Sequence, residues 1–311
     1  MVQRSLTDTT IKSDLDACRA LLLRRNRALY AAILIAPPRV RDAATALFAF
    51  FVSIEEAARR DGATPELVEE LRGRTHRAWS GSPDDAPIDR AFSRAVDAYA
   101  LPRAIFDFAL EGFAWDADLR RYATHHALVD YAVRTSATRT VCLCMVLGRR
   151  KRAVLERACD LGIAIKLTTI ARDVGKDAAQ GRLYLPIEWL EEAGVDVDLF
   201  LDRPLPSPAV RGVILRLLHS ADAFFLRADP GIGALPLASR PFARSARYVY
   251  AAIGDEIERA DGDSISRPAT VSVPRLARLV VRALRAPRSE SRPIDQARIQ
   301  AVTTLVDAVA Q

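Results

Sequence analysis

The sequence predicts an all-α protein, built as one large helical domain with a C-terminal tail. Three observations carry this. Apolar residues recur at steps of three and four through nearly every long segment, the period of an amphipathic helix. No segment alternates apolar and polar residues as a half-buried strand does. The chain has 311 residues, half of them hydrophobic, which is enough to bury a large core.

Taken in order, residues 1–19 read as an N-terminal segment, 20–287 as the helical domain and 288–311 as a tail with a short helix. The Pro37-Pro38 break starts a helix that runs over 41–60. Val141, Leu143, Met145 and Leu147 belong to an apolar helix closed by Gly148. A long helix spans 154–178 and stops at Gly181. Two more cover 206–227 and 241–259. Residues 80–87, 194–208 and 228–236 read as polar loops, and "APRSESRP" from Ala286 as a linker.

Composition excludes several classes. Net charge is +6, but basic and acidic residues interleave, with no basic stripe, aromatic interleaving or finger spacing, so nucleic acid is not expected. Cys18, Cys142, Cys144 and Cys159 form no disulfide or metal framework and read as buried thiols of a cytoplasmic protein. The N-terminus lacks a charged-then-apolar leader. The longest apolar stretch, 28–54, is interrupted by Pro37 to Asp42, which defeats a membrane span. Peripheral bilayer contact and oligomeric state stay open. No phosphate loop or dinucleotide fingerprint occurs. Trp79, Trp115 and Trp189 read as core, and His125-His126 as a surface or capping pair.

The chemistry lies in "LGIAIKLTTIARDVGKDAAQGRLYLP", residues 161–186. On a helix, Lys166, Thr169, Asp173 and Asp177 fall at steps of three, four and four, so they share one face. Two carboxylates one turn apart suit Mg²⁺, which takes one or two carboxylates plus substrate phosphates. Glu55-Glu56 sits on the 41–60 helix, with Arg59 four residues after Glu55. Spacing alone favours a solvated face of weak ion pairs over a metal site.

The second string resembles the squalene/phytoene synthases, as do "ALFAFFVSIEEAARR", "GIGALP", "RPFARSARYVYAAIGDEI" and "SRPATVSVPRLARLVVRALRA". The resemblance covers residues 20 to 287. It implies the isoprenoid synthase fold, a single helical bundle around a central cavity. It also implies prenyl diphosphates bound through Mg²⁺ on two acidic motifs, here Glu55, Glu56, Asp173 and Asp177. Arg172, Arg182, Tyr184, Tyr131, Tyr250 and Arg267 stand where the family has matching residues.

The chain departs from that pattern. The first motif's third acid is Arg59, and the arginine upstream of it is Val52. Ala28-Leu29-Tyr30 replaces Ser-Phe-Tyr. Lys166 replaces a glutamine, Thr169 an asparagine and Lys176 an acid. After Tyr131, Ala137, Arg139 and Thr140 stand for small residues, which predicts a shortened cavity with charge at Arg139. Arginine and lysine neutralise diphosphate oxygens without a metal. These departures predict a prenyltransferase that ionises a short allylic diphosphate, dimethylallyl diphosphate foremost, and prenylates a small aromatic acceptor. The squalene-synthase-like enzymes that prenylate carbazole natural products are such a branch of secondary metabolism. The alternatives are a head-to-head synthase of phytoene, dehydrosqualene or presqualene diphosphate, and a non-catalytic relative. In the expected site Asp173, Asp177, Glu55, Glu56 and Tyr184 are catalytic, the four acids holding Mg²⁺. Arg59, Lys166, Arg172, Arg182, Arg267 and Tyr250 bind diphosphate. Tyr30, Phe51, Tyr131, Arg139 and Thr169 line the substrate pocket.

Overall fold

Proline and hydroxyl caps set the starts of many helices in the chain. The computed structural model describes residues 2–25, 27–60, 64–285 and 299–310, with 2–9, 27 and 28 described by backbone alone. All regular structure among its described residues is helical, with no strand. Helix α1 spans Val2–Arg25, α2 Arg27–Ile35 and α3 Pro38–Ala58. Pro38 sits in the first turn of α3, where its missing N–H costs nothing. Helix α4 spans Pro65–Trp79, capped by the Thr64 hydroxyl, which accepts from Leu67 N–H. Then come α5 (Pro87–Tyr99) and α6 (Arg103–Ala117).

Helices α7 (His125–Ala132) and α8 (Thr138–Val146) are joined without a break by a π-helical turn, Val133–Ala137. Such a turn inserts one residue into the helical ladder and re-aims the side chains that follow. Arg139 is among them. The long α9 (Arg152–Ala178) packs against this turn and α8. Gly162 makes the approach possible, because a Cβ there would meet Ala137 Cα at 2.5 Å. Further on, Gly175 N–H donates to Ser264 O at 3.3 Å, and a Cβ at 175 would meet the Ile265 backbone at 2.7 Å. The glycine inside the second motif therefore lets residues 263–266 cross the helix.

The remaining helices are α10 (Ile187–Glu192), α11 (Val197–Asp202), α12 (Pro208–Ala234), α13 (Arg240–Arg259), α14 (Val273–Arg285) and α15 (Gln300–Val309). Helix α9 is central, lying against α12, α13, α8 and α15. The α3–α5–α6 side is filled by Phe50 stacked on Phe92 (centroids 3.7 Å), with Phe106 edge-on at 5.0 Å. Each such ring contributes about 1.5–3 kcal/mol by burial. Trp79 and Trp189 pack in or against the core elsewhere, Trp79 donating to Leu101 O and Trp189 stacking on the His125 ring. Thr124, not His125, caps α7: the His125 ring stacks on Trp189 and meets Ser220 Oγ, and His126 is exposed.

Three readings need correction. The 194–208 loop contains α11, started by the Asp196 side chain accepting from Leu199 N–H. Residues 228–234 continue α12 despite Pro230, since Arg157 and Arg247 hold this turn through Arg227 O and Asp229. The boundary after residue 19 falls inside α1, whose buried Asp14 accepts from Arg90 (2.5 Å) and Arg94 (2.7 Å) of α5. The linker from Ala286 lies outside the described residues. All four cysteines are buried free thiols.

Candidate active site

The two acidic motifs, on α3 and α9, are bridged by one long guanidinium side chain. Arg59, at the end of α3, donates from Nη2 to Asp177 Oδ1 at 2.6 Å. Its Nη1 lies 3.8 Å from Glu55 Oε1, one helical turn back. Arg139, re-aimed by the π turn, donates to Glu55 Oε2 at 2.6 Å. Lys166 Nζ is 4.0 Å from Glu55 Oε1 and 4.6 Å from the centre of the Tyr131 ring. Glu55 is thus ringed by three cations.

Electrostatics follow from this crowding. Burial alone would raise the Glu55 carboxyl, but Arg139, Lys166 and Arg59 outweigh it and hold it at about 2. Burial lowers Lys166 below the usual amine range, with Glu55 opposing. Burial likewise raises Asp177, and Arg59 only partly offsets it.

Below the cations lies a polar floor that sequence reasoning missed. Asp116, from α6, is buried and accepts hydrogen bonds from Tyr131 (2.7 Å) and Tyr184 (2.5 Å) on the same oxygen. Burial, reinforced by the Asp116 charge, pushes both phenols up, so they stay protonated as donors. Arg182 ties the floor to α3, donating to Asp116 O at 2.5 Å and Arg59 O at 3.2 Å. Asp116 sits on a third helix at no motif spacing, and only the fold brings it here.

The other expected residues scatter. Glu56 faces away from Glu55 and pairs with Arg25. Asp173 is held bidentately by its neighbour Arg172 at 2.6 and 2.8 Å. Thr169 returns its hydroxyl to Ile165 O. Lys176 and Arg267 are exposed, so neither stands among the clustered cations. Tyr30 packs on the core. Tyr131 belongs to the floor rather than to a pocket wall.

An apolar cavity of about 1100 Å³, its open mouth included, lies alongside. Phe48, Leu143, Leu147, Leu161 and Ile165 line it, together with Tyr250, which was expected at the diphosphate. Arg139 lines it too and so joins the cavity to the cation cluster. A narrow crevice, too tight for water, separates Phe51 and Arg139. Thr140 lines the cavity beside Arg139, so the charge expected at Arg139 does stand on its wall.

The four acids do not fit a shared Mg²⁺. Glu56 points elsewhere, Asp173 is occupied by Arg172, and Arg59 fills the gap between Glu55 and Asp177. Among the described residues no three His, Cys, Asp or Glu converge as a metal cage. Among them, too, no helix is long and apolar enough to cross a membrane.

The squalene/phytoene synthase family model matches residues 22–277. The chain belongs to the squalene/phytoene synthase family. It is 43% identical over 267 residues to the phytoene synthase of Cereibacter sphaeroides, covering 83% of this chain and 75% of that one. It is 40% identical over 261 residues to that of Rhodobacter capsulatus, covering 83% and 77%. A solved dehydrosqualene synthase superposes with a TM-score of 0.79 at 22% identity, over 88% of this chain and 96% of that one. The isoprenoid synthase fold, one helical bundle around a cavity, is thereby established. Members of this prenyltransferase family generally depend on a divalent metal. The relatives overturn the aromatic-prenyltransferase expectation: at 40–43% identity they are phytoene synthases. The carbazole branch, the aromatic acceptor and the secondary-metabolism role go with it. That expectation weighed the departures at Arg59, Arg139 and Lys166 too heavily, since they occur in a member of the family this similar to phytoene synthases.

Proposed function

We propose that the protein is a head-to-head prenyl diphosphate synthase of the phytoene type. The 43% identity over 83% of the chain to a phytoene synthase carries this reading. The aliphatic cavity that meets a cation cluster at Arg139 supports it. In this reading the carbon–oxygen bond of one allylic diphosphate breaks, and diphosphate leaves with the electron pair. The double bond of a second prenyl chain then supplies the electrons of the new carbon–carbon bond. For each diphosphate that leaves, the joined chain loses one proton. Arg59, Arg139 and Lys166 meet the charge that develops on the leaving oxygens, and fixed cations in a water-poor site do so at no reorganisation cost. The cavity wall of Leu143, Leu147, Leu161 and Ile165 shields the cation from water.

A second reading, diphosphate binding without turnover, is favoured by one observation. Glu55 and Asp177 are already paired with the chain's own arginines. Incubation with geranylgeranyl or farnesyl diphosphate, with and without Mg²⁺, separates the two by mass spectrometry of the products. The head-to-head reading expects a hydrocarbon of two joined chains from one diphosphate alone. It also expects Arg59→Gln to lower kcat by about 10²-fold, the cost of one lost electrostatic donor. Only unchanged diphosphate, or only the hydrolysed prenyl alcohol, would contradict it.

A further inference from the structure

The first acidic motif has lost the arrangement a divalent ion needs, and what replaces it is itself cationic. A Mg²⁺ ion shared by α3 and α9 would stand about 2.1 Å from a carboxylate oxygen of each. The Arg59 guanidinium is already there, 2.6 Å from Asp177 and 3.8 Å from Glu55. Arg139 and Lys166 close on Glu55 from the α8 and α9 sides. Arg59, Arg139, Lys166 and the buried Arg182 stand against Glu55, Asp177 and Asp116, four positive charges to three negative. Arg139 Nε is buried with no partner among the described residues, a donor still to be used. The same side chain lines the apolar cavity. A ligand that satisfies these groups is strongly anionic at one end, with several oxygens in reach of forked donors, and apolar at the other.

We infer that this site binds the diphosphate group of a prenyl diphosphate directly on Arg59, Arg139 and Lys166, without a divalent metal in between. Glu55 then has a second task. It holds three mutually repelling cations together and competes with an incoming diphosphate for them. As the phosphate oxygens arrive, Arg139 and Lys166 exchange the carboxylate for them. Arg59 stays anchored by Asp177. Tyr131 and Tyr184, fixed on Asp116, keep their ring faces beneath Lys166 at 4.6 and 5.9 Å and hold its ammonium in place. The inference rests on the head-to-head reading only for the chemical class of the ligand.

The test is binding rather than turnover. Inorganic pyrophosphate and a non-ionisable geranylgeranyl thiodiphosphate are titrated calorimetrically into the full chain, in EDTA and then in MgCl2. Bound Mn²⁺ is counted separately by electron paramagnetic resonance. The wild-type protein should bind both ligands in EDTA, with Kd within about threefold of that in Mg²⁺. Lys166→Gln and Arg139→Gln should each weaken metal-free binding about tenfold or more, as loss of a charged hydrogen bond does. Glu55→Gln should tighten it by removing the competitor. Arg59→Asp should abolish binding in EDTA and create a Mn²⁺ site that the wild type lacks. Should Arg59→Asp fail to fold, the two Gln variants still decide the matter. Binding that appears only with Mg²⁺, a Mn²⁺ site in the wild type, or no binding under either condition overturns the inference. Metal-free binding without hydrocarbon product leaves it standing and removes the head-to-head reading. Hydrocarbon product with binding only in Mg²⁺ does the reverse.

Discussion

Glu55→Gln is expected to destabilise the protein by about 3 kcal/mol at neutral pH, the value of a carboxylate held this far below its ordinary range. The substitution keeps shape and removes the only charge that Arg139 and Lys166 share. It leaves cations at 18% and 12% side-chain exposure facing one another, too buried for water to screen fully. The pH dependence gives the sign. The folded pKa of Glu55 is about 2, below the ordinary 4.5. Its stabilisation is therefore complete above 4.5 and is lost as the pH falls from there towards 2. Denaturant unfolding followed from pH 7 down to 3 should show this loss in the wild type and a flatter curve in Glu55→Gln. Equal slopes in the two proteins would show that the three cations do not depend on Glu55.

Asp116→Leu is expected to cost about 4 kcal/mol, because it strands two buried phenol donors at roughly 1–3 kcal/mol each. Asp116 is 1% exposed, so water cannot replace the carboxylate. Tyr131→Phe and Tyr184→Phe should each be milder alone. Combined with Asp116→Leu they should recover part of the loss, since no donor is then left unpaired. A double-mutant cycle by chemical denaturation should give a coupling of about 1–3 kcal/mol for each tyrosine. Strict additivity would mean that the hydrogen bonds at 2.5–2.7 Å carry no net stability. The variant should also lose diphosphate binding, because Lys166 stands over these two rings.

Helical period made α3 and α9 legible from the sequence, and with them the face shared by Lys166 and Asp177. Period also explains what went astray along single helices. Lys176 precedes Asp177 by one residue and Glu56 follows Glu55 by one, so each is turned by about 100° from its neighbour. One reaches solvent and the other reaches Arg25. The π turn shifts the apolar register by a single residue, and with Ala137 the one apolar residue between Val133 and Val141 such a shift leaves no mark. Arg139 was noticed as out of place, but its target, Glu55, lies 84 positions away. Asp116 was invisible for the same reason: its partners are 15 and 68 positions distant, and nothing near it marks a site. Ala137 and Thr140 fit against α9 because a glycine on that other helix, Gly162, makes room for them. Substitutions read one position at a time miss such compensation.

The most direct measurement is a crystal structure of the full chain with geranylgeranyl thiodiphosphate. The diphosphate should lie between Arg59, Arg139 and Lys166, with the prenyl chain running past Leu143 and Leu161 towards Tyr250. A chain in the cavity whose diphosphate is held instead by metal ions on Glu55 and Asp177, with Arg59 swung away, would contradict the account.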